Sequence, residues 1–341
     1  MGMNVQYPAR NLLARLQSSP GRGNFSRRCA AANIILRCGR CRLLIWLSPE
    51  RHRRHLVRVE LTLAEIRRAV RAALAEDLGS GDATTLATVP ANARSVALMN
   101  AREPLTLAGI AFAGLAFREL SPKIKIQKLA RDGQSVAAGK ALLKISGPSR
   151  AILSAERVAL NFVQRLSGVA SATAQFVAAV KNTRAQILDT RKTTPGWRRF
   201  EKYAVKCGGG KNHRIGLFDL VLIKDNHLVT LQNEKPNAIA AAVARAREKF
   251  PKLKVEVEAD TLEQVAQAAA AGADIILLDN MSPAQLRAAV KIVRQRAKTE
   301  ASGGVNLQTI RAIAQTGVDF ISVGAITHSA RAVDIGLDFD K

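Results

Sequence analysis

The chain has 341 residues, 48% of them hydrophobic, which is enough to bury a sizeable core in one large domain or two of ordinary size. No stretch reaches the roughly eighteen uninterrupted apolar residues of a membrane span, because Arg and Lys break every candidate, including Leu43 to Leu47. The formal net charge is +25, but with 4% aromatic residues and no recognition module the basic excess does not describe a nucleic-acid binder.

The charge is unevenly spread. Residues 1–58 hold twelve Arg, no Lys and one acid, Glu50, and show no sustained helical or strand period. They are expected to be a disordered basic extension, either a targeting peptide or residues translated from upstream of the true start. Cys38, Cys41, His52 and His55 superficially resemble a zinc finger. Both gaps on the histidine side are shorter than the usual spacing, however, which disfavours zinc. Beyond the extension Cys207 stands alone, so no disulfide framework is expected and a reducing, cytoplasmic compartment suits the chain.

From Thr62 to Leu78 the apolar residues Leu63, Ile66, Val70, Ala73 and Leu74 recur at three and four, behind a Thr62/Glu65 capping box. That pattern predicts a helix. Short strands follow over Ser95–Asn100, Lys123–Leu129 and Ala141–Ser146, separated by Pro and Gly turns. A long helix is expected from about Ser149 to Lys181, broken near Gly168 and carrying Arg157 and Arg165 among apolar residues. Six β-rich runs come next, at Gln186–Asp189, Leu220–Lys224, Lys254–Ala259, Asp274–Asp279, Lys298–Ala301 and Phe320–Val323. The stretches between the later runs have the length of βα crossovers, so the sheet should be parallel. Polar strand ends, with no Gly-x-Gly-x-x-Gly opening a helix, favour closure into an α/β barrel. The expected organisation is thus a basic extension at 1–58, an α/β domain at 59–168 joined by part of the C-terminal tail, and an α/β barrel domain at 169–341.

In a parallel barrel the C-terminal strand ends meet at one mouth. The first ends Asp189-Thr190-Arg191-Lys192-Thr193, its long loop carries Lys206, Lys211, His213 and Arg214, and the second ends Lys224-Asp225-Asn226-His227. So many cations on one rim make sense if a polyanion neutralises them. Arg offers a planar fork to carboxylate or phosphate and Lys a movable point charge. A solvated basic loop is the competing reading, weakened by the strand-end placement of Arg191, Lys192 and Lys224. Opposite lie Glu258 and Asp279, able to accept ribose hydroxyls or hold Mg²⁺ unless they merely cap the next helices. Ser302-Gly303-Gly304 and Gly324 close the ring with backbone N–H groups that a phosphate can approach. There is no Gly-x-x-x-x-Gly-Lys-Ser/Thr loop, since Asn212 follows Gly210-Lys211, and no Gly-x-Ser-x-Gly elbow with a usable triad.

Longer strings carry a resemblance. They are Glu76-Asp77-Leu78-Gly79-Ser80-Gly81-Asp82 with Thr84-Thr85, Ala155-Glu156-Arg157, Leu160-Asn161-Phe162 and Gln164-Arg165-Leu166-Ser167-Gly168. The series continues with Asp189-Thr190-Arg191-Lys192-Thr193-Thr194-Pro195-Gly196, Glu201-Lys202-Tyr203-Ala204, Asn212-His213-Arg214 and Ile223-Lys224-Asp225-Asn226-His227. From about Leu61 onward the chain resembles the quinolinate phosphoribosyltransferase family, whereas the extension has no counterpart there. Trp197 and Phe200 are small departures beside the Arg191 loop. The resemblance implies an N-terminal α/β sandwich, an incomplete α/β barrel and a homodimer with shared sites. It also implies the reaction of quinolinate and phosphoribosyl pyrophosphate, with Mg²⁺, to nicotinate mononucleotide, pyrophosphate and carbon dioxide in NAD biosynthesis.

By position, the resemblance assigns Arg191, His213, Arg214 and Lys224 to the quinolinate carboxylates, with Arg157 supplied by a partner subunit, and Lys192 to phosphoribosyl pyrophosphate. Glu258 and Asp279 fall around ribose and Mg²⁺, and Ser302, Gly303, Gly304 and Gly324 at the 5′-phosphate. Lys192, Lys224, Glu258 and Asp279 are the catalytic set on this reading. A paralogue of the same fold acting on nicotinate, or on a ligand linked to molybdate transport, is the nearest competing assignment.

Overall fold

The computed structural model describes residues 59–340 and, by backbone alone, a two-residue antiparallel ladder of β1 (Arg37–Cys38) with β2 (Cys41–Arg42). The chain divides into two units, Met1–Arg54 and His55–Lys341. The disordered state expected for 1–58 and the zinc-finger spacing of Cys38, Cys41, His52 and His55 lie outside the described residues. Among the described residues no helix is long and apolar enough to cross a membrane.

The larger unit opens with α1 (Leu63–Leu78), where the Thr62 hydroxyl accepts from the Glu65 N–H and the Glu65 side chain reciprocates. Its Ile66, Val70 and Leu74 are buried at helical spacing. A short α2 (Ala83–Thr88) is capped by Asp82. Next come β3 (Arg94–Ala101), β4 (Leu105–Thr106), α3 (Ile110–Leu120), β5 (Lys125–Lys128), β6 (Ser135–Val136) and β7 (Ala141–Pro148). The mostly apolar α3 is a helix that the strand-centred reading of this stretch left out.

The 31-residue α4 (Ser149–Ala179) is continuous, so the expected break at Gly168 does not occur. Gly168 serves a close approach instead: a Cβ there would lie 2.0 Å from the Arg331 carbonyl oxygen, where the C-terminal segment crosses the helix. Gln164 holds that segment on both sides, its carbonyl accepting from the Val333 N–H and its amide donating to the Ile335 carbonyl.

Beyond α4 follow β8 (Gln186–Leu188), α5 (Arg198–Cys207), β9 (Val221–Ile223), α6 (Asp225–Val229), α7 (Ala238–Lys249) and β10 (Val255–Ala259). The chain continues through α8 (Leu262–Ala270), β11 (Ile275–Asp279), α9 (Pro283–Val293), β12 (Lys298–Ser302), α10 (Ile310–Ala314), β13 (Phe320–Ser322), α11 (Ala325–His328) and β14 (Ile335–Phe339). Six parallel strands line up in the order β8-β13-β12-β11-β10-β9, so the first two strands in sequence form the two edges of an incomplete barrel. One isolated parallel bridge, Leu188 to Lys211, lines the β8 edge. A four-stranded sheet is antiparallel, in the order β14-β3-β7-β5, so the C-terminal strand returns to the N-terminal half and pairs with β3.

The loop expected between the first two barrel strands contains α5, a helix. Its start is fixed by aromatic packing: Trp197 stacks on Phe162 of α4 at 5.0 Å, and Phe200 meets Phe112 of α3 edge-on at 5.1 Å. Both residues noted as departures therefore anchor the Arg191 loop to the hydrophobic core.

Candidate active site

Each barrel strand delivers its last residues to one end. β8 runs into buried Asp189, and β9 into exposed Lys224. In β10 the Val-Glu-Val-Glu-Ala alternation puts Glu256 and Glu258 on one face, and β11 ends at Asp279, which pairs in register with Ser302 of β12. The helices after β10 and β11 have their own caps: Thr261 with Gln264 starts α8, and Ser282 with Gln285 starts α9. Glu258 and Asp279 are thus strand-end carboxylates and do not cap the following helices.

Asp189 is the hub of the cationic side. Its carboxylate faces the ammonium of Lys202 from α5, accepts from the Asn212 amide at 2.7 Å and accepts from the His213 N–H at 2.8 Å. Neither Asp189 nor Lys202 is exposed. Burial pushes the Asp189 carboxyl up and the Lys202 ammonium down, and each group's charge opposes the shift in its partner. A second tie runs through Glu201, fully buried, which accepts from Arg165 at 2.7 Å and from the Thr194 N–H at 3.0 Å. These two acids bind α5, the Arg191–Thr194 loop and α4 into one support.

On that support Arg191 and Arg214 come within electrostatic reach. Burial first, and then the neighbouring Arg191 charge, lower the pKa of Arg214. The Arg191 Nε is buried with no hydrogen-bond partner. Two guanidinium groups, one with an unused buried donor, form a place for an anion.

The structure brings other members together pairwise. Lys224 Nζ lies 2.6 Å from Glu258. A Cβ on Gly324 would lie 3.0 Å from the His328 ring and 3.3 Å from the Lys192 side chain, so this glycine leaves room for both at the late-strand corner. Gly303 has φ +93°, and a Cβ there would fall 2.0 Å from the Asn280 side-chain oxygen. Arg157 is different: it stands exposed on α4, and no hydrogen bond or ion pair joins it to the other candidates among the described residues.

Two residues absent from the sequence-based set sit beneath His213. Its Nε2 is 3.0 Å from Glu256 and 3.6 Å from Glu300, both carboxylates being fully buried. Burial alone would lower the His213 pKa, but Glu256 and then Glu300 carry it up to about 9. Its Nδ1 accepts the Arg214 N–H at 2.8 Å, which only an unprotonated Nδ1 can do, so this geometry is that of the neutral ring with its proton on Nε2, against the upward pull of the two acids. Among the described residues, this trio has ligand atoms within 4.8 Å of one another. The signal for Glu256 was available in the sequence, two residues before Glu258 on the same strand face. A cavity of about 970 Å³ opens elsewhere, beside the N-terminal ends of β12 and β13, lined by Arg184, Arg296, Lys298 and Asp319, and contains none of these groups.

A parallel α/β barrel whose strand ends gather two neighbouring guanidiniums, one with an unpartnered buried donor, two lysines and two carboxylates is an enzyme scaffold for small anionic substrates. The Quinolinate phosphoribosyl transferase C-terminal domain matches residues 169–338, and the corresponding N-terminal domain matches 82–167. Over 278 residues the chain is 44% identical to the carboxylating nicotinate-nucleotide pyrophosphorylase of Mycobacterium leprae, covering 80% of this chain and 96% of that protein. It is 41% identical over 292 residues to the chloroplastic counterpart from Arabidopsis thaliana, covering 81% and 83%. The solved nicotinate-nucleotide pyrophosphorylase of Francisella tularensis superposes with a TM-score of 0.78 at 42% identity, covering 82% of this chain and 98% of that one. The chain belongs to the quinolinate phosphoribosyltransferase family and is a pentosyltransferase.

Proposed function

We propose that the mouth of this barrel joins quinolinate to phosphoribosyl pyrophosphate, yielding nicotinate mononucleotide, pyrophosphate and carbon dioxide for NAD biosynthesis. The observation that carries this reading is the Arg191–Arg214 pair with its unpartnered buried donor, a receptor for carboxylate, inside a chain of this family. Arg191, Arg214 and Lys224 then hold the two carboxylates, with His213 beside them. Lys192, packed against Gly324, meets the phosphoribosyl substrate, whose 5′-phosphate lies on Ser302, Gly303, Gly304 and Gly324.

Glu258 and Asp279 suit Mg²⁺ in donor type: both offer carboxylate oxygens at adjacent strand ends, and neither is used as a helix cap. Bound there, Mg²⁺ would neutralise the leaving pyrophosphate. The protein groups hold the pyridine nitrogen in line with C1 of the ribose, so that the N–C1 bond forms as the C1–O bond to pyrophosphate breaks. Lys192 and the glycine N–H groups stabilise the negative charge of the phosphates. The bond from the adjacent ring carbon to its carboxylate then breaks and carbon dioxide leaves; the electron pair stays on that carbon, stabilised as an ylide by the positive nitrogen beside it, and the carbon takes a proton from water.

A homodimer completes the proposal, with Arg157 of the partner subunit reaching the quinolinate carboxylates; the exposed position of Arg157 on α4 supports it. A cytoplasmic location belongs to the same reading, supported by Cys207, a free and half-buried thiol. Incubation with quinolinate, phosphoribosyl pyrophosphate and Mg²⁺ is expected to give nicotinate mononucleotide and one carbon dioxide per turnover. Folded protein that yields neither overturns the assignment, and product from nicotinate alone would favour the paralogue reading.

A further inference from the structure

Two acids share the barrel interior below the mouth. Glu256 of β10 and Glu300 of β12 are separated in the sheet by β11, where register pairs Glu256 with Ile275 and Glu300 with Leu277. Both side chains are fully buried, and none of their four oxygens makes an aligned hydrogen bond. Buried carboxylates without partners cost several kcal/mol unless a cation compensates them. The register partner of Glu300 on β11 is the buried, apolar Leu277, and Ser322 of β13 is a polar neighbour of Glu300. Such a pair has a cost to the fold that an apolar side chain would avoid, and what it faces gives it a purpose.

What it faces is His213, whose Nε2 lies 3.0 and 3.6 Å from the two acids. The other edge of the ring receives the Arg214 N–H, and the His213 backbone is tied to Asp189 and Lys202. Glu256 also acts on the Arg214 charge directly. Both ring nitrogens are therefore engaged by the protein, and His213 behaves as a strut between the barrel interior and Arg214.

We infer that Glu256 and Glu300 are positioning residues of the quinolinate subsite: from inside the barrel they hold the His213 imidazole, and through it the backbone that presents Arg214 to the substrate carboxylates. This rests on the assignment of Arg214 to quinolinate. Turnover by the unsubstituted enzyme tests that assignment separately.

The test is a double-substitution cycle on the full chain, with steady-state kinetics in both substrates. Glu256→Gln and His213→Gln are each expected to raise the KM for quinolinate about tenfold while the KM for phosphoribosyl pyrophosphate stays within twofold. Combined, they are expected to be no worse than about threefold beyond either alone, because both remove the same strut. Glu300→Gln is expected to give a smaller rise in the same KM, and it keeps the proposal testable should Glu256→Gln not fold. Additive losses, equal increases in both KM values or kinetics unchanged in every variant would overturn the inference. So would one equivalent of metal that survives dialysis against chelator and disappears in Glu256→Gln, since the trio would then be a cation site.

Discussion

Lys224 and Glu258, assigned to opposite halves of the pocket, are in contact: the Lys224 Nζ lies 2.6 Å from the Glu258 carboxylate. The crowding expected from the sequence would make Lys224 a source of repulsion in the empty enzyme. Its pairing reverses that expectation, because removing the lysine strips Glu258 of its counter-charge. The lysine is half-exposed, so the pair contributes at most about 1 kcal/mol to folding. Lys224→Ala should therefore shift the urea midpoint little, while raising the KM for quinolinate by roughly tenfold or more through loss of a charge-assisted contact. Parallel urea melts and initial-rate measurements check both halves.

The same contact couples the two substrates. While Glu258 holds Lys224, the lysine is less available to a carboxylate, and a ligand that engages Glu258 releases it. Glu258→Gln should therefore strengthen the binding of quinolinate alone by about threefold, as expected for loss of one screened competing charge, while lowering kcat. Calorimetric titration of quinolinate into parent and variant reads the first effect. Weaker binding in the variant would show that the pair does not compete with substrate.

Much of this arrangement was legible in the sequence, and the reasons for the exceptions are local. The barrel strands and the capping box at Thr62 were readable because period and turn chemistry are short-range signals. α5 was hidden because Arg198 to Cys207 is rich in charge, and the apolar residues that bind it, Phe112 and Phe162, lie far away in the chain. Gly168 reads as a helix breaker by propensity, yet its role is set by the Arg331 backbone 163 positions later. Cationic strand ends announced themselves through net charge; Glu256 and Glu300 share strand faces with Glu258 and Ser302, but their full burial follows only from the packing of the barrel interior.

The support below the rim gives a stability prediction. Asp189 and Lys202 are both fully buried, and Asp189 also orients Asn212 and His213. Lys202→Met leaves the Asp189 charge without its partner in the interior, a change that costs about 3–5 kcal/mol. The double variant Asp189→Asn with Lys202→Met should recover part of that loss, since no bare charge remains. Urea unfolding of the three variants measures the difference. An additive double variant would show that the two side chains do not compensate each other.

Acid sensitivity should map to the tie between the β3 turn and the segment before β14. Glu103 accepts from Arg331 at 2.7 Å and from the Asp334 N–H at 2.8 Å. The Arg331 bond first, and then the Asp334 N–H, hold the Glu103 carboxyl at about 2, below its ordinary 4.5. A depressed carboxyl pKa means that the folded state binds the proton less readily than the unfolded chain. The contribution is therefore complete above 4.5, shrinks as pH falls below that value and is gone once pH passes through about 2. Glu103→Gln should lower the Tm at neutral pH and converge with the parent as the carboxyl protonates, giving a flatter acid limb. Because Arg331 is largely exposed, the difference should also diminish in salt. Thermal melts across the acid range, with and without salt, test this; a Tm gap that persists at the lowest pH would assign Glu103 a role independent of its charge.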